Sequence, residues 1–367
     1  MKENEIIRKI REAFPSSGLG DDAAILDVSK RPLYLSSDAV VEGVHFKRRF
    51  STLRQVMEKL VSANVSDMNA MNAEALGFLV TAGLPRGLRT DELEEILEGL
   101  KSAASFYGIR LLGGDTVLSP GGFFFDVSIV GVPVDVHSSG NGVFLRSGAQ
   151  RGDKIVIFDE CGRSAAGLAL LEYLFDSKQV PWLSAEAADL LGTKGRLLKR
   201  AAHDLSLATG TADYGVEGID GSDLLVSALS CIKAHLVPQA RPVPGEFMER
   251  AAGSVHAAMD ISDGISIDLS RMCRESNAGA VIFEERLPVP RELAVLADFE
   301  GVELTDLLLS SGEEYSILAA VGKDAVGYLP DGAAVIGEIR DIKEGLKLIR
   351  ENRKEKPLDL KGFEHTF

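Results

Sequence analysis

The chain has 367 residues, of which 45% are hydrophobic and 26% charged, and its 55 acidic and 40 basic side chains give a formal net charge of −15. This length predicts about two domains, the composition excludes a largely disordered chain, and no apolar run approaches the ~18 residues of a membrane span. The acidic surface disfavours contact with a nucleic-acid backbone, and a phosphorylated small substrate would need cations to bridge it to the protein.

The first half of the chain alternates segments of helical and strand character. After an amphipathic helix start at residues 6–10, which differs from a signal peptide, apolar spacing and capping residues define the later segments. The predicted elements are a strand over 31–36, a helix over 53–65, a strand over 76–82, a helix from Thr90, and strands over 109–112 and 123–132. A Ser/Gly/Asn stretch at 137–142 then predicts a boundary.

The second half repeats this alternation with one span that shows no clear pattern, residues 177–242. The predicted elements are a strand over 154–158, a helix over 164–175, a strand over 255–260, a helix over 265–273, and strands over 316–321 and 333–336. We therefore predict an α+β or mixed α/β fold with mixed sheets, divided into domains 1–136 and 143–367.

The cysteines indicate the compartment. Cys161, Cys231 and Cys273 are far apart in the sequence and match neither a zinc site nor a disulfide framework. A chain with so few scattered thiols is typical of the reducing cytoplasm. We therefore expect a cytoplasmic protein that binds neither nucleic acid nor membranes.

Acidic residues recur where predicted strands and helices end. Taken singly, an aspartate in a Gly/Ser turn most often caps a helix or accepts from local N–H groups. If these ends converge, however, the carboxylates would repel one another unless Mg²⁺ or Ca²⁺ neutralised them, and Mg²⁺ commonly bridges carboxylates to phosphates. The recurring residues are Asp21, Asp22, Asp38, Asp67, Asp115, Asp260, Asp263, Glu313 and Glu314.

Several other kinds of site do not fit the sequence. It contains no phosphate-binding G-x-x-x-x-G-K-[ST] loop, no G-x-S-x-G nucleophile motif and no H-x-x-x-H pair. Residues 18–23 formally match the dinucleotide fingerprint G-x-G-x-x-A, but no clear strand precedes them and two carboxylates would face the pyrophosphate. We therefore reject a dinucleotide site.

Eight motifs, in order along most of the chain, resemble those of thiamine-monophosphate kinases. They are GDDAAIL (20–26), SSDAVVEGVHF (36–46), NVSDMNAM (64–71), LLGGDT (111–116), RSGAQRGD (146–153), SAAGLALL (164–171), DISDGISIDL (260–269) and SGEEYSIL (311–318). The closing KGFEH (361–365) resembles that family's C-terminal motif. The resemblance implies an aminoimidazole ribonucleotide synthetase-like fold, in which an N-terminal mixed sheet pairs across a homodimer into a barrel and a C-terminal α/β sandwich follows.

The resemblance also implies a reaction, the transfer of the γ-phosphoryl group of ATP to thiamine monophosphate, which gives thiamine diphosphate and ADP. Several Mg²⁺ ions would be held by Asp22, Ser36, Ser37, Asp38, Asp67, Asp115, Asp260 and Asp263. ATP would contact Tyr107, Gly114, Asp115, Arg146 and Ser262, and thiamine monophosphate would contact His45, Glu313 and Phe363. Because the acceptor phosphate has a second pKa of about 6, we expect positioning and charge neutralisation rather than a general base.

Each proposed acceptor contact has a purely structural alternative. Phe363 could anchor the C-terminal segment, His45 could pack at a strand end, and Glu313 could cap a helix. The sequence also departs from the family pattern at residues 72–74 and at Ser311, Glu314 and Ser316, and residues 171–242 form a longer span than the family has. That span could be a lid, an oligomer contact or a loop.

The sequence is also compatible with two other functions. One is a sister ATP-dependent enzyme with a different acceptor, and the other is a non-catalytic nucleotide-binding protein. A selenophosphate synthetase should carry a reactive cysteine near its N-terminal glycines, whereas the first cysteine here is Cys161. A hydrogenase-maturation relative should end in cysteine, whereas this sequence ends in Phe367. An aminoimidazole ribonucleotide synthetase lacks the ordered match.

Overall fold

The computed structural model describes residues 24–28, 31–134, 142–181, 183–205, 207, 223–297 and 304–364. The strands are β1 (Ala24–Val28), β2 (Arg31–Val41), β3 (Ala73–Pro85), β4 (Arg110–Ser119), β5 (Phe124–Pro133), β6 (Lys154–Ile157), β7 (Val255–Asp260), β8 (Ala278–Phe283), β9 (Ile317–Val321), β10 (Ala334–Asp341), β11 (Leu346–Ile349) and β12 (Glu355–Pro357). The helices are α1 (Leu53–Ala70), α2 (Thr90–Tyr107), α3 (Arg163–Asp176), α4 (Ala185–Thr193), α5 (Gly195–Asp204), α6 (Asp223–Leu236), α7 (Gly245–Ala251), α8 (Ile265–Glu275), α9 (Arg291–Leu296) and α10 (Leu304–Ser310).

The first sheet has the strand order β1-β2-β5-β3-β4, and within it only β3 and β4 run parallel. Alternate residues of β5 point to opposite faces, so Phe125, Val127 and Ile129 are buried against α1 and α2. The opposite face carries no helix from the described residues. This mixed sheet confirms the predicted fold class for the N-terminal half.

Helix α1 is buried on nearly all sides, because it packs on the first sheet and also contacts the second half of the chain. It begins with a capping box between Thr52 and Gln55. The Gln55 amide donates to the carbonyls of Ala202 and Leu205 at 2.7 and 2.9 Å. Its polar residues therefore join the two halves and do not form a solvated face.

The second sheet has the order β12-β11-β8-β10-β6-β9-β7 and is covered on both faces. Strands β8 and β11 run parallel, and the other pairs are antiparallel. One face packs on α3, α6 and α8 through residues such as Ile155, Leu170 and Leu269. The other packs on α7 around Phe247. This arrangement confirms the mixed α/β architecture.

The span without a clear sequence pattern contains α4, α5 and α6. Leu191, Leu198, Ala202 and Leu229 from these helices are fully buried in the main core of the second half. The described residues of this span therefore belong to the core, while the Gly-rich residues 208–222 lie outside the described residues. None of the described helices combines the length and apolar character needed to cross a membrane.

Candidate active site

A cavity of about 820 Å³ lies between the two sheets. Three elements bring acidic residues to its wall: β2 contributes Asp38, α1 contributes Asp67, and the end of β7 contributes Asp260. The hydroxyl of Ser36 donates to the Asp67 carboxylate, and that of Ser66 donates to Asp260 Oδ2 at 2.8 Å. These acidic residues, which are far apart in the sequence, therefore meet in one place.

The environment of Tyr315 shows how closely these charges converge. Burial raises the pKa of the Tyr315 hydroxyl well above its usual range, and nearby negative charges raise it further. Those charges belong to Glu313, Asp38, Asp260 and Asp67, in decreasing order of effect. A concentration of negative charge of this kind is destabilising without cations, so the site is electrostatically suited to bind them.

The donor atoms of this acidic cluster fit a hard cation. Carboxylate and hydroxyl oxygens are the ligands that Mg²⁺ prefers. Within the ranges that the structure describes, no three His, Cys, Asp or Glu side chains are grouped closely enough to hold an ion by themselves. Mg²⁺ is usually held by one or two carboxylates together with water and substrate phosphates. The arrangement therefore fits Mg²⁺ ions that bridge the protein to a phosphorylated ligand.

One end of the cavity is basic. Arg146, Arg271 and Arg274 line it beside the loop that follows β7. Arg271 forms ion pairs with Asp263 at 2.5 Å and with Asp268 at 2.9 Å. Guanidinium groups bind phosphate oxygens in a bidentate manner, so this end can accept a polyphosphate next to the acidic cluster.

Asp268 holds the loop at the basic end in place. Its Oδ2 accepts from the backbone N–H groups of Ser262, Asp263 and Gly264, each at 3.1 Å. Burial and the neighbouring charge of Asp263 raise the pKa of Asp268 to about 7. Sequence reasoning missed this role, although an acidic residue in the first turn after Ser-Asp-Gly is a signal of a capped loop.

The three predicted acceptor residues form a second part of the wall, the acceptor end, which adjoins the loop at the basic end: the N–H of Glu313 donates to the carbonyl oxygen of Ser262 at 2.7 Å. His45 Nδ1 accepts from the backbone N–H of Val41 at 3.0 Å, and its ring centroid lies 6.0 Å from that of Phe363. Glu313 Oε2 lies 2.5 Å from Lys59 Nζ, so its carboxylate forms an ion pair across the cavity wall. All three side chains line the cavity.

Lys59 and His235 also line this end, and sequence reasoning missed both. His235 Nδ1 lies 3.5 Å from Glu313 Oε2 and 3.3 Å from the hydroxyl of Ser164. Burial, with a smaller effect from the Lys59 charge, lowers the pKa of His235 well below its usual value. The imidazole is therefore neutral at pH 7, and Lys59 is the cation that balances Glu313.

Two departures from the family pattern form one structural unit. Glu314 accepts from the backbone N–H groups of Gly162 at 2.7 Å and Ser164 at 3.1 Å, at the start of α3. Ser311 donates its hydroxyl to Glu314 and accepts from the N–H of Ala165 at 3.2 Å. Together they cap the N-terminus of α3. Glu314 therefore points away from the acceptor end of the cavity.

Replacing Glu314 by glutamine is expected to remove part of the pH dependence of stability. Burial raises the pKa of Glu314 from 4.5 to about 7. The native state therefore binds this proton more tightly than the unfolded state does. The contribution of the protonated Glu314 carboxyl to the free energy of unfolding is lost as pH rises from about 4.5 to about 7. The glutamine amide still accepts the N–H bonds without titrating, so the variant should gain stability relative to wild type by on the order of 3 kcal/mol between these limits.

Urea denaturation at pH 5 and pH 8 measures this difference. Glu338→Gln is the matched control, since Glu338 pairs with Lys154 on the second sheet. Parallel pH dependences for wild type and Glu314→Gln would contradict the prediction.

Four predicted site residues lie outside the cavity or outside the described residues. Asp22 is one that lies outside the described residues. Gly114 and Asp115 lie on β4, and the fourth residue is Tyr107 at the end of α2.

The hydroxyl of Tyr107 forms hydrogen bonds with Ser62 Oγ at 2.8 Å and with the N–H of Ala240 at 2.9 Å. Burial raises the pKa of that hydroxyl to about 12. Tyr107 thus ties α1 and α2 to the second half of the chain and does not line the cavity.

The sheet register explains the position of Asp115. Asp115 pairs with Thr81, which pairs with Asp126, which pairs with Ala39 on β2. Three strand spacings separate β4 from β2, or about 14 Å. Registered residues share a face, so Asp115 lies on the face opposite that of Asp38. One chain alone does not bring these two carboxylates together.

Ser37 shares this open face. Its hydroxyl donates to Asp126 Oδ2 at 2.8 Å and lies 3.0 Å from the hydroxyl of Ser128. Ser37 also borders the cavity. The predicted metal-binding residues therefore divide between the two faces of the first sheet.

Comparisons with known proteins extend over the whole chain. The family model for the N-terminal domain of AIR synthase related proteins matches residues 20–133, and the model for their C-terminal domain matches residues 234–346. Thiamine-monophosphate kinase from Escherichia coli K12 is 30% identical over 359 residues, which cover 95% of this chain and 91% of that protein. The chain belongs to the thiamine-monophosphate kinase family. The family member from Pyrococcus horikoshii is 27% identical over 365 residues, which cover 100% of this chain and 96% of that protein.

The fold of this chain resembles those of solved thiamine-monophosphate kinase structures. AaThiL complexed with AMPPCP and TMP has a TM-score of 0.74 at 25% identity, covering 100% of this chain and 97% of that one. The thiamine-monophosphate kinase from Stenotrophomonas maltophilia K279a has a TM-score of 0.63 at 26% identity, covering 94% of each chain. The hydrogenase maturation protein HypE in complex with ATP, at 18% identity and a TM-score of 0.57, shows the shared fold alone.

Proposed function

We propose that this protein transfers the γ-phosphoryl group of ATP to the phosphate of thiamine monophosphate, releasing thiamine diphosphate and ADP. The observation that carries this conclusion is a cavity whose wall brings together basic residues, a group of carboxylates and an acceptor end that holds His45, Glu313 and Phe363. A polyphosphate, a metal-bridged transfer site and a cationic aromatic acceptor match these three regions in that order. Membership of the thiamine-monophosphate kinase family supports the assignment.

For the nucleotide side, we propose that Arg146, Ser262 and the loop held by Asp268 bind the phosphates of ATP. Arg146 lies at the basic end, and the loop presents its residues toward the cavity. When bound, Mg²⁺ would neutralise the phosphates and the developing charge of the transfer. The residues proposed to hold it are Asp22, Ser36, Ser37, Asp38, Asp67, Asp115, Asp260 and Asp263. We assign Tyr107 a structural role.

For the acceptor side, we propose that Glu313 faces the thiazolium or the aminopyrimidine of thiamine monophosphate. Phe363 can stack on either ring, and cation–π attraction favours the thiazolium. His45 lies 6.0 Å from Phe363 and completes the wall. Since the acceptor phosphate is already largely ionised near neutral pH, these residues need only hold it in line with the γ-phosphate.

We propose that the protein is a homodimer formed through the first sheet, with residues 1–136 as the dimerising domain and 143–367 as the domain that completes the site. The face opposite the helices carries four large apolar side chains that are between 36% and 47% exposed: Leu35, Val41, Leu79 and Val117. Strand β4 is a nearly fully exposed edge, which favours pairing with another strand. Because Ser37 on this face borders the cavity, we propose that a two-fold partner places its own β4 there and that the partner's Asp115 completes the metal cluster.

Replacing Leu79 by aspartate is expected to convert the dimer into a monomer and to lower activity, because the charge would lie in the centre of the buried face. Light scattering at the assay concentration measures the mass. Ile342→Asp is the matched control, since Ile342 is 49% exposed but lies on the second half of the chain. A wild-type protein that is monomeric under these conditions would contradict the dimer.

ADP release from ATP and Mg²⁺ tests the function when it is measured with and without thiamine monophosphate. The expected result is ADP release that depends on both the acceptor and Mg²⁺. ADP release with another phosphorylated acceptor alone would favour the sister enzyme, and ATP binding without turnover of any acceptor would favour a nucleotide-binding protein. We also propose a cytoplasmic location, since all three cysteines are buried free thiols.

A further inference from the structure

The segment that carries Phe363 is fastened to the first turn of α8 by one buried hydroxyl. Ser266 Oγ donates to the carbonyl oxygen of Lys361 at 2.8 Å and accepts from the N–H of the same residue at 3.0 Å. The side chain of Ser266 is fully buried. A single side chain therefore satisfies both main-chain groups of Lys361, as a neighbouring strand would.

The same segment also lies directly on the loop at the basic end of the cavity. The N–H of Phe363 donates to the carbonyl oxygen of Asp263 at 3.0 Å. At Gly362, any Cβ atom would overlap that carbonyl oxygen, so only glycine allows this approach. Lys361 Nζ forms an ion pair with Asp306 on α10 at 2.6 Å. These contacts fix where the chain enters the cavity.

The position of Phe363 follows from this attachment. Its ring is 46% exposed, lines the cavity and lies 6.0 Å from His45. A partly exposed aromatic ring on a short segment would otherwise sample several positions, and ordering it would cost free energy each time a ligand bound. The two hydrogen bonds to Ser266 order the segment before a ligand binds.

We propose that Ser266 is a positioning residue for the acceptor, and this inference rests on the proposed function. Ser266 docks the segment 361–363, which holds the Phe363 ring against the acceptor end of the cavity. Ser266 itself bonds only the main chain of Lys361 among the described contacts. Its effect is therefore on acceptor binding and not on the chemical step.

Steady-state kinetics of Ser266→Ala test this role. Loss of two hydrogen bonds to one hydroxyl should raise KM for thiamine monophosphate about tenfold, with kcat and KM for ATP within about twofold of wild type. Ser270→Ala is the matched control on the same helix, because the Ser270 hydroxyl bonds only Ile267 within α8, at 2.7 Å. It should leave all three constants unchanged.

A double-mutant cycle separates positioning from general weakening. Because Ser266 acts through Phe363, Ser266→Ala should add little to the effect of Phe363→Ala. Trypsin should also cleave after Lys361 faster in Ser266→Ala than in wild type, a readout that needs no turnover. If Ser266→Ala fails to fold, Gly362→Ala displaces the segment from the loop and should raise the same KM.

Two results would overturn the inference. One is an unchanged KM for thiamine monophosphate in folded Ser266→Ala, or in Gly362→Ala where Ser266→Ala does not fold. The other is a double variant in which the KM effects of Ser266→Ala and Phe363→Ala multiply. A wild-type protein that turns over ATP with another acceptor would instead refute the proposed function, and this outcome is visible before any variant is compared.

Discussion

Replacing Asp38 by asparagine is expected to lower kcat by at least about a hundredfold without unfolding the protein. Asp38 lies in the wall of the cavity with Asp67 and Asp260. Burial raises the pKa of Tyr315, and the charges of Glu313 and of these three aspartates raise it further. Asparagine keeps the shape and removes the charge, so the site would hold its cations less well. Relief of repulsion within the cluster should leave the Tm unchanged or slightly higher.

The measurement is kcat at saturating ATP, Mg²⁺ and thiamine monophosphate, together with thermal unfolding. Asp341→Asn is the control, since Asp341 accepts from the N–H of Lys343 at 3.0 Å in a turn of the second half. Near-normal turnover by Asp38→Asn would remove the carboxylate cluster from the mechanism. A lower Tm with partial activity would point to a structural role instead.

The second large effect concerns Asp115, which one chain places about three strand spacings, or ~14 Å, from β2. Asp115→Asn is expected to lose activity as Asp38→Asn does, because we propose that the partner's Asp115 completes the site. A heterodimer of the two variants would then contain one site with both carboxylates intact and one with neither. Such a heterodimer should recover about half of the wild-type activity.

Co-expression of the two variants with different affinity tags, followed by purification on both, provides this heterodimer. Each parental homodimer, purified in the same way, is the control. Recovery of activity supports a site shared between subunits. A heterodimer as inactive as its parents would show that Asp115 does not act across the interface.

The ordered motifs predicted that these acidic residues act together, since only Asp260 ends its element, whereas Asp38 lies within β2 and Asp67 within α1. Strands β2 and β7 and the start of α1 carry clear patterns, but the helix runs to Ala70, beyond the predicted end at residue 65, and therefore contains Asp67. The convergence of Asp38, Asp67 and Asp260 is a consequence of how α1 lies between the sheets. Motif order supplied that expectation, and periodicity alone would not have.

Sequence reasoning missed Lys59 and His235 for a physical reason. Polar residues on a helix are normally read as its solvated face, whereas α1 is buried on nearly all sides and Lys59 is only 9% exposed. His235 lies in α6, inside the span without a clear pattern. Both side chains are functional candidates only because two distant elements meet there.

The opposite orientations of Glu313 and Glu314 were also beyond the sequence. Glu313 and Tyr315 both adopt positive φ, at 54° and 51°, a strained conformation for residues other than glycine. These residues therefore do not form a regular strand whose side-chain directions the sequence could predict, and Glu313 lies at the cavity while Glu314 caps α3. The position of Asp115 was hidden similarly, because strand order cannot be read from periodicity.

The fate of the γ-phosphoryl group tests the account most directly. ATP labelled in its γ-phosphate with radioactive phosphorus would be incubated with the protein, Mg²⁺ and thiamine monophosphate, and the products separated by chromatography. The account predicts that the label appears in thiamine diphosphate in equal amount to the ADP formed. Label found only in inorganic phosphate, or retained in ATP, would contradict it.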